Sequence, residues 1–123
     1  MALTYLPASQ ANAAIGAMIT ASTTYYESLH TTTCSNTGSA EVSGGSYGRQ
    51  TIQVGAASSG VMTSTTAQNF TNMPSATVDY FGFWTLVTAG TFLLGGQLAS
   101  SLTVPAGATV AVAIGGITLS VQG

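Results

Sequence analysis

Short apolar runs rich in β-branched and aromatic residues, separated by polar Gly- and Ser-rich turns, recur over most of this chain, and one stretch near its start follows a different rhythm. Within residues 9–20, small or apolar side chains fall at Ala11, Ala14, Ile15, Met18 and Ile19, the spacing of a single helical stripe. Ser9 is placed to cap this helix, and Pro7 precedes it. Gly16 inside it costs about 1 kcal/mol relative to alanine, so the helix is expected to need a partner surface.

Everything after Ala21 reads as strands. Residues 24–30, dense in Thr and Tyr, are the first, followed by a turn-rich stretch over residues 31–48 that contains Ser35-Asn36-Thr37-Gly38 and Ser43-Gly44-Gly45-Ser46. A loop of that length inside a compact domain is often functional. Residues 50–54 alternate about Ile52 and Val54, and residues 60–65 and 67–71 are weaker strands. The strongest element is residues 76–85, which sets Val78, Tyr80, Gly82 and Trp84 on one face and Asp79, Phe81 and Phe83 on the other. Aromatics on both faces predict a strand covered on both sides, or one with a core face and an interface face. Ala89-Gly90 turns the chain into residues 91–94, and Gly95-Gly96 interrupts a continuation through Leu98. Residues 102–104, 109–114 and 117–121 complete the set, with turns at Pro105-Ala106-Gly107 and Gly115-Gly116. About eight short strands predict a mainly β fold, a β-sandwich or jelly-roll-like small barrel with a short N-terminal helix. Residues 1–22 are the arm and helix, and residues 23–123 a single β domain.

Charge changes the picture. Glu27, Glu41, Arg49 and Asp79 are the only charged side chains among 123 residues, there is no lysine, and the net charge is −2. An ordinary domain is about 25% charged, and interspersed charge is what keeps small domains apart in solution. A surface with so little repulsion is expected to be covered by other copies in an assembly. The shortage of cations also argues against nucleic acid as a partner and against an anionic membrane surface. The apolar stretch over residues 80–94 is broken by Gly82, Thr85, Thr88, Gly90 and Thr91 before it reaches the ~20 residues of a membrane span. Met1-Ala2-Leu3-Thr4-Tyr5 has no basic segment of the kind that opens a signal peptide. The single Cys34 allows no internal disulfide and fits assembly in a reducing cytoplasm.

Candidate chemistry is sparse. Gly44-Gly45-Ser46-Tyr47-Gly48 matches the Gly-x-Ser-x-Gly elbow in form, but a strand pattern follows it where that motif needs a helix, and His30 precedes the serine where that fold needs a histidine after it. His30 and Cys34 are four residues apart, yet a structural zinc site takes four ligands, and no other Cys or His exists; a threefold axis could gather three copies of His30, but a strand-end histidine hydrogen-bonded to backbone is the expected reading. No catalytic residue, cofactor or metal is expected. Glu41 and Arg49 bracket the Gly-rich loop and are expected to pair across its base, setting register at a subunit joint. Tyr25, Tyr26, Tyr47, Phe81, Phe83 and Trp84 are the rings from which a glycan platform would be built, although aromatics equally dominate cores and interfaces.

The order of features is a short Ala/Asn-rich helix, an aromatic strand ending in Leu29-His30, the loop Glu41-Val42-Ser43-Gly44-Gly45-Ser46-Tyr47-Gly48-Arg49-Gln50, a strand with Gly82-Phe83-Trp84, and a hairpin through Val104-Pro105-Ala106-Gly107. In that order the chain resembles a family of small tailed-bacteriophage virion proteins, labelled tail fibre protein or capsid decoration protein. The resemblance runs from about residue 8 to the C-terminus and implies a non-enzymatic virion protein. One module without a repeat suits capsid decoration better than a long shaft. The expected partners are the chain itself, as a homotrimer, and the major capsid protein, on the capsid exterior after synthesis in the host cytoplasm. The alternative is a tail-fibre or tail-tip module that binds a bacterial surface glycan. The expected interface residues are Ile15, Met18, Glu41, Gly44, Gly45, Tyr47, Arg49, Phe81 and Phe83, with residues 1–18 as a docking arm.

Overall fold

A computed structural model describes residues 8–120. It contains one helix, α1 (Ala8–Met18), and eight strands: β1 (Tyr25–His30), β2 (Gln50–Ile52), β3 (Val61–Thr63), β4 (Gln68–Phe70), β5 (Ala76–Trp84), β6 (Phe92–Val104), β7 (Val110–Val112) and β8 (Thr118–Ser120). The fold is mainly β, as its alternation predicts. The arm before residue 8 and the expected end of the last strand at Val121 lie outside the described residues.

Four strands form an antiparallel sheet in the order β2-β1-β5-β6, and two ribbons, β3-β8 and β4-β7, are separate two-stranded sheets. No sheet closes into a barrel among the described residues, so the layered arrangement holds and the barrel does not. Both ribbons lie over the inner face of the main sheet. At one end Phe81 and Phe83 pack with Met62 of β3, Leu119 of β8, and Ile15 and Ile19. At the other, Leu29 and Val78 pack with Phe70 of β4 and Val110 of β7. Complete burial of a ring such as Phe83 is worth about 1.5–3 kcal/mol, and these two clusters hold the layers together.

The helix uses a narrower stripe than its spacing predicts. Ile15 and Ile19 are buried, while Ala14 and Met18 are exposed, and Asn12 Oδ1 accepts from the Gly60 amide at 2.7 Å just before β3. Gly16 faces open space, with nothing within 4 Å of a Cβ built on it. Gly16→Ala is therefore expected to stabilise the chain by about 0.5–1 kcal/mol, measured as a shift in the urea midpoint. A destabilised variant would mean that the helix face opposite Ile15 is covered.

Two departures from strict alternation have a local cause. The β5–β6 register shifts between Val78 and Tyr80: Val78 pairs with Leu102 but Tyr80 with Gln97, so five residues of β6 pass while β5 advances two. This bulge turns Val78 to the core side, where it packs with Leu29, and separates it from Tyr80, Gly82 and Trp84. The expected interruption at Gly95-Gly96 is also absent, and β6 runs straight through both residues. They supply clearance: a Cβ on Gly95 would lie 2.3 Å from Cys34 Sγ, and one on Gly96 2.8 Å from the Phe81 ring. Glycine inside a strand here marks close approach of a neighbour.

Candidate functional site: the clamped loop and the outer face of the sheet

The outer face of β1 and β5 carries Ser28, His30, Gly82 and Trp84, because Ser28 pairs with Gly82 and the alternation sends Glu27, Leu29, Phe81 and Phe83 inward. The stretch over residues 31–49 covers this face. Its backbone is tied to itself and to β1 through Thr31 N to Ala40 O, Gly38 N to Cys34 O and Val42 N to Leu29 O. Gly38 is required here for two reasons: its φ is +74°, and a Cβ on it would sit 2.3 Å from the Trp84 ring.

A hydrogen-bonded chain runs beneath the cover. Trp84 Nε1 donates to Ser28 Oγ at 2.8 Å, Ser28 Oγ lies 2.7 Å from His30 Nε2, and His30 Nδ1 lies 2.7 Å from the Ser39 carbonyl. A carbonyl only accepts, so Nδ1 carries the proton; in neutral His30, Nε2 then accepts from the Ser28 hydroxyl. Burial lowers the pKa of His30, partly opposed by the Ser39 carbonyl. The serine–histidine pair is fully buried and both ring nitrogens are occupied, which makes it a structural element. Three such histidines cannot meet at a threefold axis.

At the rim of the cover Arg49 is the central group. Nε donates to Glu41 Oε2 at 3.0 Å and Nη2 to Oε1 at 2.9 Å, while Nη1 reaches the carbonyls of Leu86 and Ala89 at 3.0 and 2.7 Å. The guanidinium carbon stands 3.7 Å from the centroid of the Trp84 ring, a cation–π contact. Tyr47 closes the network: its hydroxyl donates to Glu41 Oε2 at 2.8 Å and accepts from the Leu29 amide. Its ring stacks on Phe70, and burial raises its pKa. The expected Glu41–Arg49 pair is thus present within one chain, with side chains 22% and 8% exposed respectively. Together these groups pin the β5–β6 turn, whose Leu86 and Val87 are 55% and 53% exposed.

The other expected interface residues separate into two groups. Met18, Gly44 and Gly45 are exposed. Ile15, Phe81 and Phe83 lie in the core of the single chain, so their contacts are intramolecular, because β5 is covered by a ribbon on one face and by the loop on the other. Ser46 sits in a turn between β1 and β2, where its Oγ pairs with the Asn72 amide; the motif's strand-to-helix elbow is absent. Cys34 is buried, with Sγ toward the Phe81 carbonyl, and no group of three or more metal-ligating side chains occurs among the described residues. No helix among them is long and apolar enough to cross a membrane. Sequence reasoning missed Leu86 and Val87, which continue the apolar run of β5 and look like its end rather than an exposed tip.

Residues 2–120 match the model of the Gp80 family, described as podophage GP4 fiber I protein gp80. Among curated proteins none matches. With nearly its whole length matched, the chain belongs to the Gp80 family of podophage fibre proteins, structural proteins of the virion.

Proposed function

We propose that the chain is a non-enzymatic subunit of a phage fibre, built to be buried against further copies of itself, with a homotrimer as the expected unit. The observation that carries this reading is the β6 edge of the main sheet, which pairs with no further strand among the described residues. Strand β6 runs for 13 residues at that edge without a charged side chain. Natural edges are usually short or guarded by Lys or Pro, and here only the bulge opposite Asp79 interrupts the run. The remaining surface repels little: Glu27 is buried, Glu41 and Arg49 neutralise each other, and Asp79 is hydrogen-bonded to Ser101. Exposed Met18, Leu86 and Val87 add apolar anchors, worth about 25 cal/mol per Å² buried before association costs.

The family description supports a place in a fibre. Five of the six rings that a glycan platform would use are engaged inside the chain: Trp84 beneath Arg49, Tyr47 on Phe70, Tyr25 beside Phe83, and Phe81 and Phe83 in the core. This favours assembly over sugar recognition. Capsid decoration through contacts with the major capsid protein is the second reading, favoured by a compact fold without a repeated shaft. Native mass spectrometry is expected to show a homo-oligomer that Ser100→Lys, on the exposed stretch of β6, dissociates. A chain that stays monomeric at every attainable concentration overturns the reading. Copy number in purified virions then separates the two locations: a handful of copies places the chain in a fibre, and a number near that of the capsid protein places it on the shell.

A further inference from the structure

On the inner face of β1, Glu27 stands opposite Phe83 in a setting that assembly through β6 does not explain. The residue is 1% exposed, and its Oε1 has no hydrogen-bond partner among the described residues. A bare buried acceptor is a liability, and glutamate is almost never fully buried unless paired. Glu27 is one of the residues lining a cavity of about 270 Å³ between the main sheet and β7. The rest of the wall is mainly hydrocarbon, from Leu29, Val78, Leu98, Leu102 and Val110, and Glu27 is the only titratable side chain on it. Leu102 is 41% exposed and marks the mouth. The slot is therefore apolar along its side-chain walls and has one unpartnered acceptor, Glu27 Oε1, buried at its lining.

We propose that this slot binds a primary alkylammonium, an unbranched aliphatic stem of about four methylenes whose head donates to Glu27. The walls select the stem, since a sugar or nucleotide would bury several polar groups against side chains that cannot pair with them. The carboxyl selects the head. Burial holds Glu27 protonated up to about pH 8, and an entering cation draws it into the ionised form with release of one proton to solvent. Binding therefore tightens about tenfold per pH unit until pH 8 and levels off above it. The chain has no lysine and its one arginine is held by Glu41, so a side-chain cation for this slot comes from another molecule. The same chemistry is offered by a free alkylamine and by a lysine of a neighbouring protein.

NMR titration of the full chain, read at the Leu29, Val78 and Val110 methyls, tests this with n-pentylamine, with 1-pentanol as the neutral control, and with Nα-acetyl-lysine methylamide. At pH 8 pentylamine is expected to bind at least tenfold more tightly than pentanol, to lose that margin in Glu27→Gln, and to weaken about fivefold at pH 7. Comparable binding of the lysine derivative assigns the slot to a protein lysine; binding of pentylamine alone assigns it to free amines. Leu102→Trp, at the mouth, is expected to block the amine while leaving the carboxyl in place. Equal affinity for amine and alcohol, unchanged binding in Glu27→Gln, or no binding of either amine overturns the proposal.

Discussion

Arg49→Ala is expected to remove about 3–5 kcal/mol of stability, the range for breaking a largely buried ion pair from one side. The loss is large because one side chain does three jobs. It makes a two-point bond to Glu41, caps the carbonyls of Leu86 and Ala89, and covers the Trp84 ring. Removing it leaves the Glu41 carboxylate, whose side chain is only 22% exposed, with Tyr47 as its remaining donor. Small domains are stable by about 5–15 kcal/mol in all, so the variant should be near unfolding at room temperature. Arg49→Lys is expected to recover less than half the loss, since an ammonium cannot reproduce the planar fork. Urea titration decides the matter: a loss below about 1 kcal/mol for the alanine variant would show that the clamp is ornamental, as exposed ion pairs usually are.

Replacement of Glu27 by Gln is expected to act in the opposite direction, stabilising the protein increasingly with pH. Burial raises the carboxyl from its ordinary 4.5 to about 8. The folded chain keeps the proton through a range in which the unfolded chain has released it, so stability is fully present below 4.5 and is lost as pH rises through 8. The slope between is about 1.4 kcal/mol per unit, giving on the order of 3 kcal/mol at pH 7 in favour of the variant. His30 works with the reverse sign. Its pKa is lowered by burial, so its contribution is present above the ordinary 6.5 and falls away as pH drops below that value. Glu27 alone therefore governs pH 6.5 to 8, where the natural chain should lose stability and Glu27→Gln should not. Parallel profiles for the two proteins over that range, by thermal or chemical unfolding, would show that Glu27 finds a partner in solution.

The inward position of Glu27 was legible in the sequence. Period-two alternation places it with Tyr25 and Leu29, on the face opposite Tyr26, Ser28 and His30, against the general rule that assigns a charged residue to the surface. The strands from Tyr25 to His30 and from Ala76 to Trp84 were legible from their density of β-branched and aromatic residues. Pairing was not. Gln68 pairs with Val112 and Met62 with Leu119, partners more than forty residues apart, which local pattern does not encode. The bulge beside Asp79 and the paired glycines at 95 and 96 were misread because a two-residue period has no sign for an inserted residue, and because glycine signals both a break and a tight fit. The Glu41–Arg49 pair followed from scarcity of charge; that it clamps Leu86 and Ala89 follows only from the bonded carbonyls.

The cover over residues 31–49 leans on parts of the chain made much later: Gly38 on Trp84, and Arg49 on carbonyls of Leu86 and Ala89. Contacts between distant segments form slowly, because loop entropy is lost before any attraction is gained. The β5–β6 hairpin, whose strands adjoin in sequence, is then expected to form first, with the β1–β5 pairing and the cover, both made between distant segments, closing after it. Trp84 is the single tryptophan and lies under that cover, so its emission times the final event while circular dichroism times the sheet. In stopped-flow refolding the fluorescence phase is expected to lag the dichroic one, and coincident phases would mean that cover and sheet form together. A subunit caught between the two phases has the β5–β6 hairpin formed and the outer face of β5 bare, and that interval is when the chain is most exposed to mispairing with its neighbours.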